Sequence, residues 1–263
     1  MILVTGTTGF VGGRILRDRD DVIPCPSLKN LKEDDIRRIV EENQIDAIIH
    51  TAAISDIGEC ERDPEASYIA NVLIPTYLAK AAHRRGIKLI CFSSDQVYSG
   101  TKEDVPFTED MVCPANTYAK HKLEMENRVL DIDPNAVMLR AEWMYDYYLK
   151  RPNYFMNIIN AADTLAFSSR QFRGLTYVRE VAENIEKVIA LPGGAYNFGS
   201  ETEKSMYDIT KDFLALIGKS IPLSDAQPRH NLWMNCEKAR KYGVEFSSVE
   251  DGLAKCAKDY ELV

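Results

Sequence analysis

The chain has 263 residues, enough for one α/β domain with a substantial core, or for one domain with a small appended lobe. Its 45% apolar content is that of a folded globular protein, and its net charge of −8 argues against nucleic-acid or anionic-membrane binding, both of which favour a basic face. No apolar stretch approaches the roughly 20 residues of a membrane span, and six scattered cysteines without a CxxC pair favour reduced thiols in a cytoplasmic protein over zinc or a disulfide framework.

The first half alternates strand-like and helix-like segments. Residues 2–5 form a short buried strand that runs straight into a glycine loop, which leaves no room for a signal peptide. Residues 10–18 read as a helix, 22–23 as a weak strand, and 34–42 as a helix with Ile36, Ile39 and Val40 on one side. A strand at 47–50 precedes a long helix at 68–85, which Gly86 ends. A strand at 88–92, a helix at 118–130 and a strand at 136–139 follow. The strands are continuous apolar runs, as strands covered on both faces must be. The expected fold is therefore α/β, a Rossmann-type doubly wound parallel sheet.

After Arg140 the pattern loosens. Aromatics cluster at Trp143, Tyr145, Tyr147, Tyr148, Tyr154 and Phe155. A helix at 178–190, a strand at 196–198 and a helix at 206–217 precede a polar, mixed chain end. The expected organisation is a nucleotide-binding core over 1–140, completed by about 175–195. Residues 141–174 and 196–263 form a smaller, C-terminal substrate-binding lobe.

The first strand leads into Gly6, Gly9 and Gly12, spaced G-x-x-G-x-x-G. The first glycine permits a tight turn, the second lets backbone approach a pyrophosphate, and the third lets the helix pack closely on the sheet. The helix start then offers unpaired N–H groups to phosphates. Gly6, Thr8, Gly9, Phe10, Val11 and Gly12 are accordingly expected to bind a dinucleotide. An acid at the end of the second strand would select NAD through the ribose hydroxyl. Asp20 and Asp21 lie before that strand, whereas Ser27 and Lys29 follow it, and with Arg14 they could meet a 2′-phosphate. NADP(H) is favoured over NAD(H).

Tyr118 and Lys122 stand four residues apart, hence on one helix face. A tyrosine titrates near 10, and an ammonium one turn away favours its phenolate. Ser94 follows a strand whose C-terminal end should face the cofactor, and it could hydrogen-bond a substrate oxygen to complete a Ser–Tyr–Lys set. His50, His83, His121 and His230 lack metal-ligand spacing, and no metal is expected.

These residues give the chain a resemblance to extended short-chain dehydrogenase/reductases, and most to the dTDP-4-dehydrorhamnose reductase family. That family carries a T-G-x-x-G-x-x-G loop, an N-A-A-A segment, an S-T-D-Y-V-F-type strand end and Y-x-x-x-K-x-x-x-E. It continues with L-R-x-x-W-x-Y and Q-x-G-x-P-T-Y-V. The matching residues are Gly6 to Gly12, His50-Thr51-Ala52-Ala53, Ser93-Ser94-Asp95-Gln96-Val97-Tyr98, and Tyr118 with Lys122 and Glu126. Leu139-Arg140-Ala141-Glu142-Trp143-Met144-Tyr145 and Gln171-Phe172-Arg173-Gly174-Leu175-Thr176-Tyr177-Val178 match the later patterns, and Asn71 with Pro75 fits N-x-x-x-P. The resemblance implies that Tyr118 moves the proton, that Lys122 supports it and reaches the ribose, and that Ser94 stands where the family usually has threonine. It adds Ala52, Ala53, Asn71 and Ser93 to the cofactor site, and Gln96 and Trp143 to the substrate site. Leu175 replaces the family's proline, and Gln227-Pro228 stands where Arg-Pro is usual.

The resemblance implies an NAD(P)H-dependent reductase of a keto group on a sugar-nucleotide-like substrate, and a homodimer, though no interface is legible. Two alternatives stay open. An epimerase or dehydratase would need further acid/base residues near Ser94, Tyr118 and Lys122. A non-catalytic regulatory subunit, like that of methionine adenosyltransferase, would not need the Ser–Tyr–Lys set at all.

Overall fold

The structure is a computed structural model that describes residues 1–148, 152–227 and 231–263. Pro228 and His230, both singled out in the sequence, lie outside the described residues. The chain opens with β1 (Ile2–Thr5), α1 (Phe10–Asp18), β2 (Val22–Pro24), α2 (Glu33–Glu42) and β3 (Ala47–His50). It continues with α3 (Ile57–Arg62), α4 (Pro64–Tyr68), a π-helical turn at Ile69–Leu73 and α5 (Ile74–Arg85). Next come β4 (Lys88–Ser94), a 3₁₀ turn at Asp95–Tyr98, α6 (Thr117–Ile132) and β5 (Val137–Ala141). The later chain forms β6 (Trp143–Tyr145), α7 (Tyr154–Asn160), β7 (Leu165–Phe167), β8 (Leu175–Tyr177), α8 (Val178–Glu183) and α9 (Ile185–Ile189). It ends with β9 (Gly194–Phe198), α10 (Met206–Leu216), β10 (Leu223–Asp225), α11 (Glu237–Arg240) and α12 (Val249–Asp259).

Six strands pair in parallel in the order β2-β1-β3-β4-β5-β9. Alternation along β1 explains the doubly wound form. Ile2 and Val4 face one core with Ile15 of α1 and Val181 of α8, while Leu3 faces the other with Ile36 of α2 and Leu78 of α5. The chain leaves β1 toward β2 on one side and returns to β3 on the other. That reversal opens a crevice beyond the C-terminal ends of β1 and β3, the place where such sheets bind ligands.

Strand β9 pairs with β5 in this main sheet, with Leu139 opposite Tyr196. Residues 196–198, which the sequence placed in the lobe, therefore belong to the core. The helix expected at 178–190 is two helices separated at Asn184, whose side-chain amide donates to the carbonyls of Glu180 and Glu245. The long helix expected at 68–85 carries a wide turn at its start. Pro75 has no N–H to offer, and its ring would crowd the Asn71 carbonyl in a regular helix. The Ile74 N–H accordingly bonds back to Ile69, five residues earlier.

A third apolar cluster builds the lobe from Tyr145, Phe155, Leu175, Met206, Phe213 and Leu253. The mixed chain end contributes α12, whose Val249, Leu253, Cys256 and Ala257 are buried at helical spacing. No helix among the described residues is long and apolar enough to cross a membrane.

Candidate active site

One cavity of about 1750 Å³ spans the crevice from the glycine loop to the lobe. Gly6, Thr8, Gly9, Phe10 and Val11 line its floor. Gly6 adopts φ +69°, and a Cβ there would come within 2.8 Å of the Ala52 backbone nitrogen. Only glycine fits so close an approach between the β1 and β3 loops. The start of α1 has no side-chain cap, and its first residues, Phe10 and Val11, line the cavity, so its free N–H groups are available to a pyrophosphate there. These residues fit a dinucleotide. Gly12, expected among the dinucleotide-binding residues, does not line the cavity and keeps only the close-packing role its spacing suggested. It is buried, and a Cβ there would sit 2.6 Å from the Gly6 carbonyl oxygen, so it lets helix and loop close together.

Ala52 and Ala53 line the next part of the cavity. Asn71, expected to touch the cofactor, does not reach it. It is wholly buried, accepts from the Ile54 N–H at 3.2 Å and donates to the Ile54 carbonyl at 2.9 Å. It therefore fixes the loop that follows β3, and its place in the π turn supplies the required direction. Beyond the end of β2, residues 25–30 border the cavity; Ser27 and Lys29 lie there, and none of the six is acidic. Arg14 is not with them. It is 3% exposed and bonded to Asp18 and Asp146, so it cannot meet a 2′-phosphate.

Ser93 and Ser94 end β4, and Tyr118 and Lys122 project from the first turns of α6, which Asn116 caps by accepting from the Ala119 N–H. Ser94, Tyr118 and Lys122 all border the cavity and are nearly buried. The Lys122 ammonium donates to the Phe92 carbonyl at 2.8 Å and lies 5.8 Å from the centre of the Tyr118 ring. Burial pulls the lysine down to about 8. Burial also pushes the Tyr118 phenol well above its ordinary value, against a lowering hydrogen bond with Ser94. The phenolate expected from the lysine's proximity is thus not what this burial favours, and Tyr118 keeps its proton. His50 is wholly buried and pushed down to about 3 by burial and by Lys122, so it stays neutral, with Nδ1 2.8 Å from the Thr5 hydroxyl.

Below these groups a buried polar network holds β4, α6 and β5 in register. The Ser93 hydroxyl donates to Glu126, which pairs with Arg140 at 2.7 Å. Arg140 also donates to the Tyr98 hydroxyl, which donates to Asn197. Ser93 thus borders the cavity while its hydroxyl is committed to the network.

Gln96 and Trp143 border the lobe side of the cavity. Three more residues there were not singled out from the sequence. Asp95 accepts from the Ser94 hydroxyl and pairs with Arg173 at 2.7 Å. The Arg173 guanidinium lies 5.0 Å from the centre of the Trp143 ring. Glu142 is buried, and one carboxyl oxygen accepts from the Thr176 hydroxyl and the Ser200 N–H. Burial, with the nearby Asp95 charge, pushes Glu142 up to about 8. Asp95 is the aspartate of the S-T-D-Y-V-F pattern, to which the sequence assigned no role, whereas Glu142 and Arg173 fall at positions where the patterns carry no acid or arginine, so motif matching passes over them.

A parallel sheet with this glycine loop, and with Ser94, Tyr118 and Lys122 gathered at the C-terminal end of β4, defines an extended short-chain dehydrogenase/reductase. The chain belongs to the family whose model is described as RmlD substrate binding domain, which matches residues 1–260. It is 28% identical to a dTDP-4-dehydrorhamnose reductase of Aggregatibacter actinomycetemcomitans, over 79% of this chain and 76% of that one. It is 30% identical to methionine adenosyltransferase 2 subunit beta of Xenopus tropicalis, over 92% of this chain and 82% of that one. Among solved structures, a Bacillus anthracis dTDP-4-dehydrorhamnose reductase in complex with NADP superposes with a TM-score of 0.86 at 21% identity, with 98% of each chain covered.

Proposed function

We propose that this chain is an NADPH-dependent reductase of a keto group on a sugar nucleotide, similar in chemistry to dTDP-4-dehydrorhamnose reductases. One observation carries the reading. Ser94, Tyr118 and Lys122 border the same cavity as the glycine loop, and Tyr118 is held protonated. A bound nicotinamide would supply the hydride. The chain's own groups do the rest. Ser94 orients the carbonyl oxygen, Tyr118 gives it a proton, and Lys122, anchored on the Phe92 carbonyl, would hold the cofactor's ribose. Trp143 and Gln96 stand where the sugar would lie.

NADPH is preferred to NADH in this reading because Ser27 and Lys29 border the cavity beyond β2 where an NAD-selecting acid would otherwise stand. The scattered thiols and acidic charge favour a cytoplasmic enzyme. The likeness to a subunit named for methionine adenosyltransferase keeps a regulatory reading in view, but a regulator has no use for an assembled Ser–Tyr–Lys set. The deciding experiment follows NADPH and NADH oxidation against a panel of nucleotide-linked 4-keto sugars and simple ketones, with product stereochemistry read by NMR. Reduction of a nucleotide-linked sugar supports the reading. NADPH binding without turnover of any panel member favours the regulatory one, and epimerised product without net oxidation favours an epimerase.

A further inference from the structure

Asp95 shares its carboxylate between two partners. Oδ1 accepts from the Ser94 hydroxyl at 3.0 Å, and Oδ2 takes Nη2 of Arg173 at 2.7 Å. An arginine fork normally gives a carboxylate two parallel bonds. The Nε–H of Arg173 lies on the same edge as Nη2, yet it is buried with no hydrogen-bond partner among the described residues. The oxygen that would complete the fork is the one Ser94 occupies. The guanidinium is held over Trp143, 5.0 Å from its ring centre, so it stays beside Asp95 rather than swinging to solvent. Arg173 also stands at the glycine of the Q-x-G-x-P-T-Y-V pattern, so this pair is a feature of the present chain and not of the motif.

We propose that Asp95 and Arg173 form a positioning pair for Ser94. In the resting site the Ser94 proton is parked on Asp95. When a substrate oxygen arrives, the hydroxyl turns to it, and Arg173 Nε donates to the vacated Oδ1. The buried carboxylate then keeps two bonds throughout, and the buried Nε–H gains the partner it lacks. Leaving either group unsatisfied is costly in a buried site, so the exchange lowers the cost of releasing Ser94. Arg173 acts through Ser94 and need not touch the reacting atoms. The inference rests on the reductase reading, which supplies the oxygen that Ser94 turns toward.

The test is a double-mutant cycle on the full chain with NADPH and the keto-sugar nucleotide found by the screen above. Arg173→Met should lower kcat at least tenfold while NADPH affinity, measured by fluorescence titration, stays within twofold. In a Ser94→Ala background the same substitution should change kcat less than twofold, because the hydroxyl it serves is gone. Arg173→Lys retains the charge but not the fork, and it should fail to restore kcat. Thermal melts of all four variants separate misfolding from lost positioning. Multiplicative losses in the double mutant, or full activity in Arg173→Lys, overturn the pair's role and leave the reductase reading standing. A wild-type chain that turns over no keto sugar overturns that reading and this inference together.

Discussion

At the scale of single residues, the site sorts its ionisable groups by burial. Tyr118 is forced to keep its proton, while Lys122 at about 8 holds an ammonium that is only marginally favoured at neutral pH. Tyr118→Phe removes the proposed acid and little else, since among the described residues its hydroxyl meets Ser94 and otherwise faces the cavity. Turnover should fall by a factor of about 10² to 10⁴, with NADPH affinity close to that of wild type. A variant retaining a third of wild-type kcat would assign the proton to another group. Glu142 offers a test that needs no substrate. Its carboxyl is held up to about 8, against an ordinary value near 4.5. Below the ordinary value both folded and unfolded chains bind this proton, and the stabilisation is fully present. As pH rises toward 8, the unfolded chain has released the proton and the folded chain has not, so stability is progressively lost. Glu142→Gln imitates the neutral acid and cannot ionise. The wild type should lose melting temperature relative to Glu142→Gln between pH 5 and pH 8, as read by calorimetry. Parallel curves would mean that Glu142 is not held neutral. Lys29 lines the cavity, and if it sets the proposed cofactor choice, Lys29→Ala should weaken NADPH about tenfold, roughly 1.4 kcal/mol, and leave NADH unchanged in paired titrations.

At the scale of elements, what could be read from the sequence was whatever depends on local spacing. The glycine loop announces a strand, a turn and a helix start because each glycine meets a local steric demand. The four-residue step from Tyr118 to Lys122 fixes a shared helix face without any tertiary knowledge. Elements whose identity depends on distant partners were less legible. The strands β7 and β8 are three residues long and exist by pairing with β10 and β6. The mixed composition of the chain end hid α12, whose apolar stripe is recognisable only against the lobe core. Asn71 shows a related limit. A motif marks that a position is needed, not whether its side chain meets ligand or backbone, and the π turn directs this one to Ile54. Asp95, Glu142 and Arg173 escaped because each acquires its meaning from a partner on another element. The helix–loop contact at Gly12 is testable in these terms. Gly12→Val places a branched side chain against the Gly6 carbonyl and the Thr51 hydroxyl, which a Cβ alone would approach to 2.6 and 2.7 Å. Cofactor binding should be lost together with a lowered melting temperature. Normal binding at millimolar NADPH would show that the loop tolerates the displacement.

At the scale of the whole molecule, the question is what keeps the lobe fixed over the core so that one cavity can span both. Arg14 answers much of it. The sequence suggested this residue for a cofactor phosphate, because it follows the glycine loop on α1. Its side chain instead leaves the cavity and runs to the lobe, where Nη1 donates to Asp146 just after β6 at 2.6 Å. The Tyr260 hydroxyl, one residue beyond α12, donates to the other Asp146 oxygen at 2.8 Å. One buried cluster thus ties together the first helix of the core, the entry to the lobe and the end of the chain. Arg14 and Asp146 are 3% and 2% exposed as side chains, so neither charge can fall back on water if its partner is removed. Breaking a buried pair from one side is far more damaging than replacing both members, because the remaining charge is stranded. Arg14→Met should therefore cost about 3 to 5 kcal/mol, measured by urea denaturation. Arg14→Met combined with Asp146→Leu should recover a large part of that loss. Because the pair lies at the core–lobe junction, the single variant should also weaken binding of sugar nucleotide more than binding of NADPH, whose proposed contacts lie on the core. A loss under 1 kcal/mol in Arg14→Met, or a double variant no more stable than the single, would show that the lobe is held by its apolar contacts and not by this charge cluster.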